Sequence, residues 1–205
     1  MKKIDAFLAA LIGFLDGILA LFILKYLGIV QIVIPLIKIV FPTWILLILF
    51  PFLGVLGIFL ASLIGKKIFV IFQAARFFLV GTLNTFIDLG VLYFFIGITG
   101  VAKGILYSIF AGISFLVATT NSYFWNKYWT FEKGRETPKS KEFLKFLIIT
   151  AIGFAINVGT ASLIVNIIGV QFGLNEKIWA GIGKLVAAFF AFVWNFLGSK
   201  FIVFR

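Results

Sequence analysis

Apolar residues run along this chain in blocks, each close to the roughly 20 residues that a helix needs to cross a hydrocarbon core. The blocks lie at about 4–24, 44–64, 77–97, 104–125, 143–168 and 178–204. They predict an all-α polytopic membrane protein of six transmembrane helices. The stretch from Lys25 to Thr43 is also apolar, but Pro35 and Pro42 bracket it and Lys38 interrupts it. It reads as an amphipathic or re-entrant piece at the outer face rather than another span. The first block begins as a signal peptide does, but its apolar run is too long and no small-residue cleavage site follows, so it is read as a retained first span. Within it Gly13 and Gly17 form a small-xxx-small pair suited to close helix contact. The polar segment Tyr128–Lys141 contains Gly134 and Pro138 and reads as a mobile connector. Trp125, Tyr128 and Trp129 at its start read as aromatic anchors at headgroup level.

Charge orients these blocks. Only 12% of the 205 residues are charged, against about 25% in soluble domains. The net charge of +11 excludes nucleic acid as a partner by its placement, because no free basic domain carries it. Lys2, Lys3, Lys66, Lys67, Arg76, Lys127, Lys133, Arg135, Lys139, Lys141, Lys145, Lys200 and Arg205 fall at one set of helix ends. Lys25, Lys38, Lys103 and Lys177 fall at the other. That asymmetry predicts both termini in the cytoplasm, with the cations meeting membrane lipids; the expected location is the plasma membrane. The chain has no Cys and no His, which excludes thiol and imidazole catalysis and the usual metal ligands. No nucleophile has an adjacent base. No catalytic residue, metal or cofactor is expected, and the glycines of Gly181–Ala187 lie within a span, without the strand a dinucleotide loop requires.

The last four spans repeat. RFFLVGTLNTFIDLG at Arg76–Gly90 aligns without a gap to KFLIITAIGFAINVG at Lys145–Gly159, and SYFWNKYWTF at Ser122–Phe131 aligns to NFLGSKFIVF at Asn195–Phe204. Each unit has two spans, so the duplication is parallel. The expected organisation is a two-span extension over 1–75 and a four-helix domain over 76–205, with repeats 76–131 and 145–205.

Polar residues inside the spans mark two constellations. Asp88 lies about 18 Å beyond Arg76 along its helix, Asp16 about as deep in the first, and Lys184 about 9 Å into the sixth from the other side. An ionised group there is costly and needs a partner or a wet path. An Asp88–Lys184 or Asp16–Lys184 pair is permitted, either as a static ion pair fixing register or as a point where Lys184 captures a passing anion. Asn84, Asp88, Asn121, Asn157, Lys184 and Asn195 form the candidate translocation path, although a single Asn is also common as helix-to-helix glue. At the inner ends stand Arg76, Lys127, Lys145 and Lys200, with Asn126 and Ser199 beside two of them. Convergent cations with amide and hydroxyl groups suit a phosphate, and Arg76, Lys127, Lys200 and Asn126 are the candidate phosphate-binding residues.

RFFLVGTLNTFIDLGVLYFF, SFLVATTNSYFWNKYWTF, FLKFLIITAIGFAINV and LVAAFFAFVWNFLGSKFIVF, in that order, resemble the GtrA-like membrane protein family, the N-K-x-W-T-F ending being the most specific part. The resemblance covers about 76–205, while typical members have only the four repeat spans. Members often carry a double Asn where this chain has Asn121-Ser122, and a second basic residue where it has Tyr128. The resemblance implies a non-enzymatic flippase moving a polyprenyl-phosphate-linked monosaccharide to the outer leaflet for cell-surface polysaccharide synthesis. It also implies a polyprenyl-phosphate glycosyltransferase as partner, and a membrane scaffold or anchor for that enzyme is the alternative function. A proton-coupled exporter using Asp88 and Asp16 is a third reading. Four helices make a thin bundle, which points to a homo-oligomer.

Overall fold

The computed structural model describes residues 1–29, 31–34, 39–101, 104–133, 140–173 and 176–205, with the side chains of 31–41, 104–105, 107–108, 111, 161–162, 165–166 and 176–185 left aside. Six helices account for most of it: α1 (Lys3–Tyr26), α2 (Leu46–Gly65), α3 (Phe69–Thr99), α4 (Gly104–Trp125), α5 (Ser140–Ser162) and α6 (Glu176–Gly198). Backbone groups in lipid must find their partners within the segment, which such uninterrupted apolar runs achieve only as helices. Among the described residues, five helical segments are long and apolar enough to cross a membrane, at Lys3–Tyr26, Thr43–Gly65, Phe69–Thr99, Ser140–Thr160 and Val186–Val203. Helix α4, with 22 residues, covers about 33 Å at 1.5 Å per residue. The protein is a helical, multi-pass membrane protein.

One element departs from all-helical structure. Between α1 and α2, β1 (Gln31–Ile34) pairs antiparallel with β2 (Ile39–Pro42), Gln31 opposite Pro42 and Ile34 opposite Ile39. Isoleucine and valine favour such extended backbone, and Pro42 falls at the strand's end, where a missing donor is tolerated. The stretch expected as an amphipathic or re-entrant piece forms a short ladder where it is described; Pro35 and Lys38 lie outside the described residues. So do Lys103 and residues 134–139 of the polar connector, including Gly134, Arg135, Pro138 and Lys139.

Two helix boundaries also differ from the sequence reading. Helix α3 starts at Phe69, so Arg76 stands about 10 Å inside it at 1.5 Å per residue, not at its end. Helix α4 continues as a π-helical turn over Asn126–Thr130, so the connector begins later than Tyr128. Helix α3 stops at Gly100, whose positive φ of 70° lets its N–H close on the Ile96 carbonyl at 2.7 Å, a left-handed cap that glycine adopts without penalty.

The chain divides into two compact units, Met1–Thr130 and Phe131–Arg205. In the first, α1 packs on α2 and α3, α2 packs on α3, and α3 packs on α4. Its core joins Ala9 and Ile12 of α1, Ile58 and Ala61 of α2, and Phe72, Val80 and Leu83 of α3 to Trp129. Gly13, Gly17 and Gly54 set the closeness of the α1–α2 crossing, each facing backbone atoms of the opposite helix. Phe7, Ile48, Phe52, Phe78 and Ile98 all lie more than half exposed; apolar side chains pointing outward along spanning helices make a lipid-facing surface. In the second unit α5 packs on α6, and Phe131 stacks on Phe204 with ring centroids 5.1 Å apart.

Candidate functional site

The first unit holds a buried charge cluster that ties three helices together. Arg76 on α3 donates from Nη2 to Asp5 Oδ1 at 2.6 Å and from Nη1 to the Trp129 carbonyl at 2.9 Å. The Trp129 indole Nε1–H donates to the same Asp5 oxygen at 3.1 Å. Asp5 and Arg76 are each about 2% exposed at the side chain. Local structure explains each position. Asp5 occupies the third residue of α1, where its Oδ2 accepts the Lys2 backbone N–H at 3.1 Å and a carboxylate offsets the positive helix end. The Trp129 carbonyl belongs to the last turn of its helix, where carbonyls lack intrahelical partners, and Arg76 supplies one. The guanidinium lies over the Phe72 ring, 4.3 Å from its centroid, a favourable cation–π position.

The same end of α4 carries a second, wholly different environment. Thr119, Ser122, Tyr123, Asn126, Lys127 and Thr130 are all buried, and their three- and four-residue spacing gathers them on one face. Leu116, Val117, Phe124 and Tyr128 occupy the exposed side. Most of the polar residues at this end of the helix thus face inward and several apolar ones outward, the inverse of a soluble helix, although Thr120 is exposed. Lys127 has no exposed surface, and its Nζ lies 5.8 Å from the Tyr123 ring centroid. Asn126 Nδ2 donates to the Ser122 carbonyl at 2.9 Å and to Ser122 Oγ at 3.2 Å. Asn126 Oδ1, Thr119 Oγ1, Thr130 Oγ1 and Asn121 Nδ2 are buried with no hydrogen-bond partner among the described residues. Buried polar atoms in proteins are almost always satisfied, so the three on the Asn126 face, Asn126 Oδ1, Thr119 Oγ1 and Thr130 Oγ1, call for a polar guest; Asn121 lies on the other side of α4.

The second unit repeats this arrangement at matched positions. Its π-helical turn spans Ser199–Val203, opposite Asn126–Thr130 in the alignment of the two halves. Lys200 Nζ lies 5.8 Å from the Phe196 ring, as Lys127 does from the matched Tyr123. Asn195 and Ser199 exchange the residue types of Ser122 and Asn126, and Asn195 Oδ1 and Ser199 Oγ are buried without hydrogen-bond partners among the described residues. Gly153 on α5 faces the Asn195 amide; a Cβ there would lie 2.6 Å from Asn195 Cγ. Gly153→Val should therefore push Asn195 aside and cost about 1–3 kcal/mol by overpacking, read as a lowered melting temperature of the detergent-solubilised protein. Lys145, the counterpart of Arg76, is exposed, and with Lys141 and Arg205 it lines a cleft of about 500 Å³.

Of the deeper polar residues, Asp88 and Asp16 each accept a hydroxyl hydrogen bond from a neighbouring helix. Asp88 Oδ1 accepts Ser114 Oγ–H at 2.6 Å. Asp16 Oδ2 accepts Thr82 Oγ1–H at 2.8 Å, while its Oδ1 and Asn84 Oδ1 are buried without partners among the described residues. Asn157 is half-buried on α5. Lys184 falls within α6, but its side chain lies outside the described residues, and with it both ion pairs considered for Asp88 and Asp16.

Sequence reasoning missed Asp5 altogether, because one acid beside Lys2 and Lys3 looks like an ordinary helix-start carboxylate. It also read Trp129 as an interfacial anchor, whereas this indole is buried and bonded to Asp5; of the three aromatics there, Tyr128 is the exposed one. The only sequence signal for the cluster was an arginine inside an apolar run, which demands a counter-charge.

No solved structure gives a significant match to this chain. A family model described as GtrA/DPMS, transmembrane domain, matches residues 76–204, from Arg76 on α3 to Phe204 beyond α6. Helices α1 and α2 lie outside that match. With well over half of its sequence covered, and the inward-facing polar turns of α4 and α6 both inside the matched region, the chain belongs to the GtrA/DPMS transmembrane-domain family.

Proposed function

We propose that this protein moves a polyprenyl-phosphate-linked monosaccharide across the cytoplasmic membrane, supplying sugar for cell-surface polysaccharides. The family's association with polyprenyl-phosphate sugars gives the substrate class. The observation that carries the reading is the fully buried Lys127 on an inward polar face whose amide and hydroxyl atoms lack partners among the described residues. A phosphate passing that face would meet the Lys127 ammonium and satisfy Asn126 and Thr130. In this reading the termini and the Lys127 end face the cytoplasm, Arg76, Asn126 and Lys127 receive the phosphate, and Lys200 plays the corresponding part in the second unit. Asn84, Asp88 and Asn121 in the first unit, and Asn157, Lys184 and Asn195 in the second, offer hydrogen bonds to sugar hydroxyls and the headgroup. A polyprenyl-phosphate glycosyltransferase would load the carrier, and a homo-oligomer would widen the thin helical walls.

The test is leaflet exchange of a fluorescent polyprenyl-phosphate sugar in vesicles reconstituted with the purified protein. Lys127→Met should lower the exchange rate at least tenfold while insertion and melting behaviour stay near wild type. Unchanged exchange in that variant removes Lys127 from the path and favours a scaffold for a glycosyltransferase.

A further inference from the structure

We infer that the donors around the Asp5 carboxylate form a binding site for a lipid-linked phosphate, held at rest by the protein's own anion. The ligand class rests on the function proposed above; the site rests on geometry. Two N–H donors from different helices converge on Asp5 Oδ1, Arg76 Nη2 at 2.6 Å and Trp129 Nε1 at 3.1 Å. The guanidinium cannot swing away, because Nη1 is fixed to the Trp129 carbonyl and the Phe72 ring covers its face. Rigid donors aimed at one oxyanion are what a phosphate oxygen requires, and the planar arginine fork suits phosphate as well as carboxylate. Asp5 thus occupies the place of a headgroup oxygen.

The origin of the parts supports this. Arg76 and Trp129 lie inside the family-matched segment, whereas Asp5 comes from α1, outside it. The family domain provides the donors and the added helix provides the occupant. Asp5 and Arg76 are almost fully buried, so carboxylate and phosphate cannot share the site, and entry requires the first turn of α1 to lift. Helix ends open more readily than helix centres. An internal competitor lowers apparent affinity by the fraction of time it occupies the site, so α1 sets how readily a headgroup is admitted.

Titration of the detergent-solubilised full-length protein with farnesyl phosphate, and separately with inorganic phosphate, tests the proposal. Asp5→Asn keeps the side-chain shape and removes the competing charge; it should bind farnesyl phosphate at least tenfold more tightly than wild type. Asp5→Glu should stay near wild type, and Asp5→Asn combined with Arg76→Gln should lose the gain. If Asp5→Asn does not fold, Asp5→Ser removes the competing charge while leaving both donors, and a gain in the same direction is expected from it. Equal affinity in Asp5→Asn and wild type, with Lys127→Met weakening both, overturns this site and leaves the transport reading standing. Affinity unchanged in every variant, Lys127→Met included, overturns both. A gain seen with inorganic phosphate alone assigns the site to free phosphate and overturns the lipid source.

Discussion

Arg76→Leu is expected to destabilise the protein by about 3–5 kcal/mol, the range measured when one member of a buried ion pair is removed. The cost arises from what is left behind. Asp5 would remain at about 2% exposure with its charge uncompensated, and the Trp129 carbonyl would lose the donor that reaches it at 2.9 Å. Replacing both charges should recover most of the loss, because a buried pair exchanged for apolar groups of similar volume is often neutral. The double-mutant cycle of Asp5→Leu and Arg76→Leu, followed by thermal unfolding in detergent, checks this. A large single-mutant loss that shrinks in the double variant is the expected pattern, and additive losses would show that Asp5 and Arg76 are not energetically coupled.

The second large effect is steric and lies at the crossing of α1 and α2. A Cβ on Gly13 would stand 2.6 Å from both Phe50 C and Pro51 N and closer still to the Phe50 carbonyl oxygen. These are backbone atoms of a helix and cannot rotate away. Gly17 and Gly54 make the same kind of approach, 2.9 Å from the Leu46 oxygen and 2.8 Å from the Ala9 oxygen. In lipid no hydrophobic gain draws helices together, and close packing through small residues does that work instead. Gly13→Leu must push α2 outward, because its Cβ alone would overlap backbone that has no cheap way to shift. It should lower the melting temperature more than any other single glycine substitution in the first unit, and cost more than the 1–3 kcal/mol typical of overpacking. Gly57→Ala on the same α2 is the control: nothing lies within 4 Å of the place its new methyl group would take, so the expected change is a gain of up to about 1 kcal/mol from helix propensity. A loss at Gly57 equal to that at Gly13 would mean that helix packing here is insensitive to backbone approach.

These two features differ in how far the residues announced them. The Gly13–Gly17 spacing on an apolar helix is a packing signal by itself, since both residues fall on one face whatever the partner, and the structure places both against α2. Arg76 announced a need for compensation but not its source. Asp5 is 71 positions away in sequence, and nothing in a linear pattern links the first turn of α1 to the middle of a later helix. The same limit applies to α4. Its Asn-Lys step was legible as candidate chemistry, but the π-helical turn that continues the helix through Thr130 and the capture of Trp129 by Asp5 and Arg76 were not. The strand pair between α1 and α2 was missed because a short isoleucine- and valine-rich run carries no period that separates strand from helix.

Composition and hydropathy alone determined that this chain lives in a membrane as a set of helices, because runs so long and so free of charge have no other stable form. The sequence alone shows the gap-free alignment of Arg76–Gly90 with Lys145–Gly159, and π-helical turns stand at the aligned positions Asn126–Thr130 and Ser199–Val203. Only the tertiary structure decided which charges neutralise each other. Burial makes an ion pair strong or costly through distance and desolvation, and both are properties of neighbours in space that sequence order does not record.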